Sequence, residues 1–243
     1  MTKCILDSKR KGGCGNCGPR CAHAISMHGL NGDGGRIGSA NLPAEYRNIT
    51  LTNSPVRASQ TEIYESLDRY VATFTSGDRV KSVYMWSDSP GTGKTTTASA
   101  LISEYIARTY IDSLRKGEQP PQVPAYFLDV NNWQELYTGF TRPNIPQDIA
   151  ERNSRPYYRQ MEKARHSPFV VLDDIGVRDA SDGFRGDLHT VINYRVTNGL
   201  PTVFTSNLPI KEMAQVFDAR LYDRIRDQCG VIHFKGESKR GRR

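Results

Sequence analysis

The sequence predicts an α/β fold, a parallel sheet covered by helices on both faces in a three-layer α/β/α arrangement. Three observations carry this. From about residue 41 onward, short apolar runs alternate with stretches at helical spacing. The segment Asp88-Ser-Pro-Gly-Thr-Gly-Lys-Thr95 lies between one such run and a helical stretch. A later apolar run, Phe169-Val-Val-Leu172, ends in the adjacent carboxylates Asp173 and Asp174.

Residues 1–40 form a block of their own. It is rich in Gly, Cys, Lys and Arg and too poor in large apolar residues to bury a core. Residues 29–35 read as a flexible linker. A boundary is therefore expected near residue 40, with 41–243 as the globular part. In 61–74, Ile63, Tyr64, Leu67, Tyr70, Val71 and Phe74 recur at helical spacing. Residues 82–86 read as the first strand. After the glycine-rich segment, Ala98, Leu101, Ile102, Tyr105 and Ile106 mark one helix face. Gly117 and the prolines at 120, 121 and 124 stop that helix. Strands are expected over 125–130, 169–172, 201–206 and 231–234. Helices are expected over 187–197, 210–217 and 220–228, and a short helix or turn over 131–140. Residues 141–156, with Pro143, Pro146 and Pro156, suggest an exposed loop or a broken helix.

The net charge of +7 is unevenly placed: +4 in residues 1–40, +4 in 235–243 and −1 in the remainder. Basic ends suit nucleic acid or an acidic partner surface, and equally suit solvated tails. No apolar run approaches the ~18 residues of a membrane helix. The N-terminus lacks the apolar stretch of a secretory signal. A cytoplasmic chain with no membrane partner is expected.

Ser89, Pro90, Gly91, Thr92, Gly93, Lys94, Thr95 and Thr96 are expected to cradle nucleotide phosphates. Gly91 and Gly93 let the backbone curl so that successive N–H groups face phosphate oxygens, and the following helix adds its positive end. Lys94 reaches the β- and γ-phosphates, and Thr95 places its hydroxyl on Mg²⁺. Asp88 stands where the pattern has glycine, which puts a carboxylate near an anionic site. Asp173, at a buried strand end, is the expected partner of Mg²⁺ and Asp174 the acid that polarises the attacking water. Asp is one methylene shorter than the usual Glu, so slow, partner-stimulated ATP turnover is expected. Asn207, ending the fourth strand, either orients that water or is a turn residue before Pro209. Arg220 and Arg224 share a helical face and fit either an arginine finger for a neighbouring subunit or a solvated helix paired with Asp218, Asp223 and Asp227.

Four of the five cysteines fall within the first 21 residues. Cys4, Cys14, Cys17 and Cys21 have the spacing of a four-thiolate metal site, with His23 and His28 as alternatives for one ligand. Zinc would order this coreless segment; an iron–sulfur cluster uses similar spacings, and thiols on a disordered arm are the third possibility. Cys229 stands alone and reads as a buried apolar residue.

Taken in order, these residues resemble the AAA+ ATPases of the DnaC/DnaI helicase-loader family of bacteria and phages, with the IstB transposition helper as a close cousin. The resemblance covers about 41–243. It rests on Asn41-Leu-Pro-Ala-Glu-Tyr-Arg47 with Ile49-Thr-Leu51, the phosphate loop, Leu-Asp-Asp-Ile-Gly176, Thr-Ser-Asn207 and Asp223-Arg-Ile-Arg226. It implies an AAA+ domain without a C-terminal lid, an arginine-finger role for Arg224, and self-association through AAA+ interfaces. It also implies a replicative hexameric helicase as partner, to be loaded onto single-stranded DNA during replication initiation. By the same resemblance the cysteine segment engages the helicase, and Arg240 is a candidate nucleotide sensor. The stretch 133–165 would face DNA. Its Trp133, Tyr137, Phe140, Arg142, Tyr157, Tyr158 and Arg159 suit base stacking and phosphate contact, and equally suit ordinary packing.

Overall fold

The computed structural model describes residues 4–9, 13, 14, 18, 20–176, 179–215 and 219–236. The chain divides into two compact units: Met1–Val80 with Gly93–Phe127, and Lys81–Thr92 with Leu128–Arg243.

The first unit holds α1 (Ala22–His28), α2 (Gly35–Ser39), α3 (Thr61–Ala72) and α4 (Lys94–Lys116). In α3 the helical spacing places Tyr64, Leu67 and Val71 on the buried face. α4 is the longest helix among the described residues and ends at Gly117, whose left-handed backbone (φ 70°) closes the last turn. The glycine-rich stretch expected to be a flexible linker is a tight corner between α1 and α2. Gly35 has φ +59°, and a Cβ there would lie 2.6 Å from the Met27 backbone, so only glycine allows this approach. Ile5, Met27, Ile37 and Ala40 are buried. The N-terminal block thus supplies apolar side chains to this unit's core and does not need a core of its own. Arg36, itself buried, donates to the carbonyls of Pro120 (2.9 Å) and Pro121 (2.9 Å), which fastens α2 to the chain leaving α4.

The second unit holds β1 (Ser82–Trp86), α5 (Val130–Thr141), α6 (Gln147–His166), β3 (Phe169–Asp173), α7 (Asp182–Thr197), β4 (Thr202–Ser206), α8 (Ala219–Gln228) and β5 (Cys229–His233). With β2 (Ala125–Asp129), the strands form one sheet in the order β2-β3-β4-β1-β5. β1 pairs in parallel with β4 and β5, and β3 with β4. β3 and β4 are buried at every position, as strands covered on both faces of a parallel sheet should be, although Thr202, Thr205 and Ser206 bring hydroxyls into β4.

Two elements depart from expectation. α7 begins at Asp182, five residues earlier than its apolar pattern suggests, because Ser181 caps it by accepting the Phe184 N–H. The proline-bearing stretch is largely the continuous helix α6, with Pro156 inside it. Proline costs a helix interior about 3 kcal/mol. Here the helix is held by burial of Tyr157 and Ala164, and its C-terminus is tied down by Arg195. The Arg195 side chain is 0% exposed. It donates to the carbonyls of Ala164 (2.9 Å), Ser167 (2.8 Å) and Pro201 (2.7 Å) and to the Thr202 hydroxyl (2.8 Å). A buried cation is thereby matched to the negative end of α6.

Candidate functional site

The loop leaves β1 and turns through Gly91 (φ +75°) and Gly93 (φ +100°) into α4. Both angles lie where glycine is favoured. At Gly93 a second constraint acts: an added Cβ would sit 2.6 Å from both methyls of Val56, a residue the sequence gives no reason to single out. α4 opens on Gly93, which has no side chain with which to cap the helix. Lys94 is only 5% exposed. Among the described residues, the buried Thr92 hydroxyl has no hydrogen-bond partner. A curled glycine backbone, an uncapped helix end, a buried ammonium and an orphaned hydroxyl fit a polyphosphate. Behind the loop, the buried Thr97 hydroxyl meets the Tyr64 hydroxyl at 2.9 Å, and Tyr64 meets Ser54 at 2.6 Å.

Asp88, at the start of the loop, turns its carboxylate toward His233. Its carboxylate is 73% exposed and lies 3.5 Å from His233 Nε2. The His233 ring stacks on Trp86, with centroids 3.8 Å apart and planes 1° from parallel. The first loop residue is therefore engaged with the edge strand β5.

At the end of β3 the two carboxylates are held differently. Asp173 is buried, and its Oδ1 accepts a hydrogen bond from the Thr205 hydroxyl at 2.6 Å. Asp174 stands in the left-handed region with φ +57°. Its N–H donates to the same Thr205 hydroxyl at 2.8 Å. Next along the chain, Ile175 N–H donates to the Thr205 carbonyl (2.9 Å), and the Ser206 hydroxyl donates to the Ile175 carbonyl (2.8 Å). Asn207 follows β4 immediately and is partly exposed. The sequence reading missed Thr205, although it stands in the Thr-Ser-Asn207 run that points to the site.

Arg224 lies on α8, half-buried, with Nη1 donating to Asn193 Oδ1 of α7 at 2.7 Å. Arg226 pairs with Asp223 (3.3 Å) and Asp227 (3.3 Å) at the surface. The Arg220 side chain, Asp218 and Arg240 lie outside the described residues.

The aromatic stretch divides. Trp133 and Tyr157 are fully buried and stack at 4.8 Å, and Trp133 Nε1 donates to the Tyr157 carbonyl at 3.1 Å. The Tyr157 hydroxyl donates to Asp187 at 2.6 Å. Burial and this contact hold its pKa well above the usual tyrosine value. Of the two readings open for these aromatics, Trp133 and Tyr157 follow ordinary packing: both are core residues. Tyr158, Arg142 and Arg159 remain exposed.

Cys4, Cys14, Cys21 and His23 line one pocket against Tyr110 and Leu114 of α4. Cys17 lies outside the described residues. Among the described residues no group of three or more His, Cys, Asp or Glu is arranged to hold a metal ion, so the four-thiolate site is not formed by the described thiols themselves. His28 is a poor candidate ligand, because its Nε2 accepts the Ile5 N–H at 3.3 Å. His23 Nδ1 meets the Tyr110 hydroxyl at 2.8 Å. Cys229 is partly buried, and desolvation pushes its thiol up to about 12, in keeping with an inert residue. No described helix is long and apolar enough to cross a membrane.

Comparison with known proteins agrees with this geometry. Residues 147–243 match the family model of the IstB-like ATP binding protein. The replicative helicase loader DnaI of Bacillus subtilis is 22% identical over 212 residues, which is 82% of this chain and 59% of that protein. This chain therefore spans little more than half the length of that curated relative. Among solved structures, a putative primosome component from Streptococcus pyogenes superposes with a TM-score of 0.56 at 22% identity, over 83% of this chain and 93% of that one. The DnaC helicase loader superposes with a TM-score of 0.56 at 21% identity, over 79% of this chain and 100% of that one. The fold is therefore that of these solved structures, and in sequence the chain is similar to DnaI and, over 147–243, to the IstB-like ATP-binding proteins.

Proposed function

We propose that this chain is an ATP-dependent loader that binds a replicative hexameric helicase and delivers it to single-stranded DNA. The observation that carries the ATP reading is the loop itself: positive-φ Gly91 and Gly93 lead into an uncapped 23-residue helix that begins with buried Lys94. The likeness to DnaI and DnaC supports the loader role. In this reading Ser89, Pro90, Gly91, Thr92, Gly93 and Thr96 supply the phosphate cradle, Lys94 its positive charge, and Thr95 and Asp173 the oxygens for Mg²⁺. The metal, when bound, neutralises charge on the β- and γ-phosphate oxygens. Asp174 and Asn207 orient the attacking water. Arg224, once it leaves Asn193, reaches the ATP of a neighbouring copy. The short acid at Asp174 makes turnover slow and dependent on a partner.

Size-exclusion chromatography with a hexameric replicative helicase, with and without ATP, tests the loader role. A nucleotide-sensitive complex is expected, and Lys94→Ala removes that sensitivity. Absence of any complex under all conditions sinks the reading. An IstB-like DNA-binding transposition ATPase is the alternative, favoured by the family match over 147–243. ATP-dependent self-assembly on double-stranded DNA in preference to single strands would select it.

The cysteine segment is proposed as a zinc module that engages the helicase, on the sequence spacing of Cys4, Cys14, Cys17 and Cys21, of which Cys17 lies outside the described residues. Metal content of the purified chain checks this. One zinc per chain, lost on Cys21→Ser, is the expected result; a metal-free chain with unchanged helicase binding rejects it.

A further inference from the structure

We infer that Thr205 is a positioning residue for the carboxylate pair, acting through one hydroxyl on both Asp173 and Asp174. The inference rests on the ATP and Mg²⁺ reading above. Register pairing of β3 with β4 runs as far as Leu172 with Phe204. Beyond it, β3 turns away through the left-handed Asp174, while Thr205 and Ser206 continue β4. There the Ile175 N–H still bonds the Thr205 carbonyl, and the Thr205 and Ser206 hydroxyls add side-chain bonds between the two strand ends.

The proton arrangement at Thr205 follows from donor counting. A hydroxyl has one hydrogen to give and lone pairs to accept with. The Asp174 N–H can only donate, so the Thr205 oxygen accepts there, at 2.8 Å. The hydroxyl hydrogen goes to Asp173 Oδ1, at 2.6 Å, which suits an ionised carboxylate. Thr205 is 0% exposed, so water does not compete for either bond. This bond fixes the rotation of the Asp173 carboxylate about its stem and so sets the direction in which Oδ2 points. The second bond holds the backbone corner from which the Asp174 side chain leaves. A single buried hydroxyl thus aligns the metal-side acid and the water-side acid together. Groups that orient the ligands of a metal typically change its affinity by about 10- to 100-fold when removed.

The test compares the full chain with Thr205→Val, which keeps the shape and loses the hydroxyl, and Thr205→Ser, which keeps the hydroxyl. Binding of a fluorescent ATP analogue is measured in EDTA and across a Mg²⁺ titration, with ATP turnover followed over the same titration. For Thr205→Val, binding in EDTA stays within about twofold of wild type, while half-saturation by Mg²⁺ rises about 10- to 100-fold and turnover falls with it. Thr205→Ser behaves as wild type. The inference is overturned if Thr205→Val keeps the wild-type Mg²⁺ dependence, or if it loses EDTA binding and Mg²⁺-dependent binding alike. Should Thr205→Val fail to fold, Thr205→Ser carries the test: a wild-type Mg²⁺ dependence supports the inference, and a shifted one overturns it. A wild-type chain that binds no nucleotide would reject the ATP reading itself, a result distinct from failure at Thr205 alone.

Discussion

At residue scale, the loop between β1 and α4 depends on a position where no side chain fits. Gly93 combines φ +100° with the nearby Val56 methyls. Gly93→Ala is expected to abolish nucleotide binding in a titration with fluorescent ATP analogue, and the strained backbone to cost about 1–3 kcal/mol of stability. Gly93 was legible in the sequence because the motif spacing demands it. Val56 was not, since its role arises from a contact with a residue 37 positions away. Thr205 was hidden for a similar reason: one threonine in a buried strand looks like any β-branched residue until its hydroxyl partners are known. Trp133 and Tyr157 show the reverse, since aromatics beside arginines read the same whether they face solvent or core. His28 gives a pH-dependent expectation. Burial lowers its pKa from 6.5, and neutral Nε2 accepts the Ile5 N–H. The unfolded chain therefore takes up the proton first. This contribution to stability is complete above the unfolded value and is lost as pH falls through the folded one. Thermal unfolding at pH 7.5 and at stepwise lower pH should show it, and His28→Gln should remove that part of the slope.

At the scale of elements, Arg195 joins the end of α6 to the start of β4 by hydrogen bonds to backbone carbonyls and a hydroxyl. Arg195→Met fills similar volume but strands those buried acceptors. It is expected to cost about 3–5 kcal/mol in urea unfolding. β1 and β3 were legible because short continuous apolar runs have few other readings in an α/β chain, whereas β5 opens two residues before the expected 231, at Cys229 and Gly230, which carry no apolar run. α6 was not, because Pro156 is a local argument against a helix and Arg195, which answers it, arrives 39 residues later. The start of α7 was also missed, since its first turn carries Asp182 and Gly183 and owes its place to the Ser181 cap.

At the scale of the whole molecule, ligand binding is the direct test of whether loop and carboxylates serve one nucleotide. A ligand that binds only the folded chain stabilises it by about 2.7 kcal/mol at 100 times its dissociation constant. Saturating MgATP should therefore raise the unfolding midpoint of wild type and leave that of Lys94→Ala unchanged, as read by calorimetry. The N-terminal block shows what composition alone conceals. Its own apolar residues are too few for a core, yet Ile5, Met27 and Ile37 are buried. Burial depends on what the rest of a chain offers, and no count within 40 residues reports that.

The corner at Asp174 has one more consequence. A backbone at φ +57° is open to aspartate, asparagine and glycine and resists longer or branched side chains. Of those three, only aspartate carries a charge. Lengthening the side chain to glutamate at this corner would therefore keep the charge but add a backbone cost of about 1–2 kcal/mol that aspartate largely escapes.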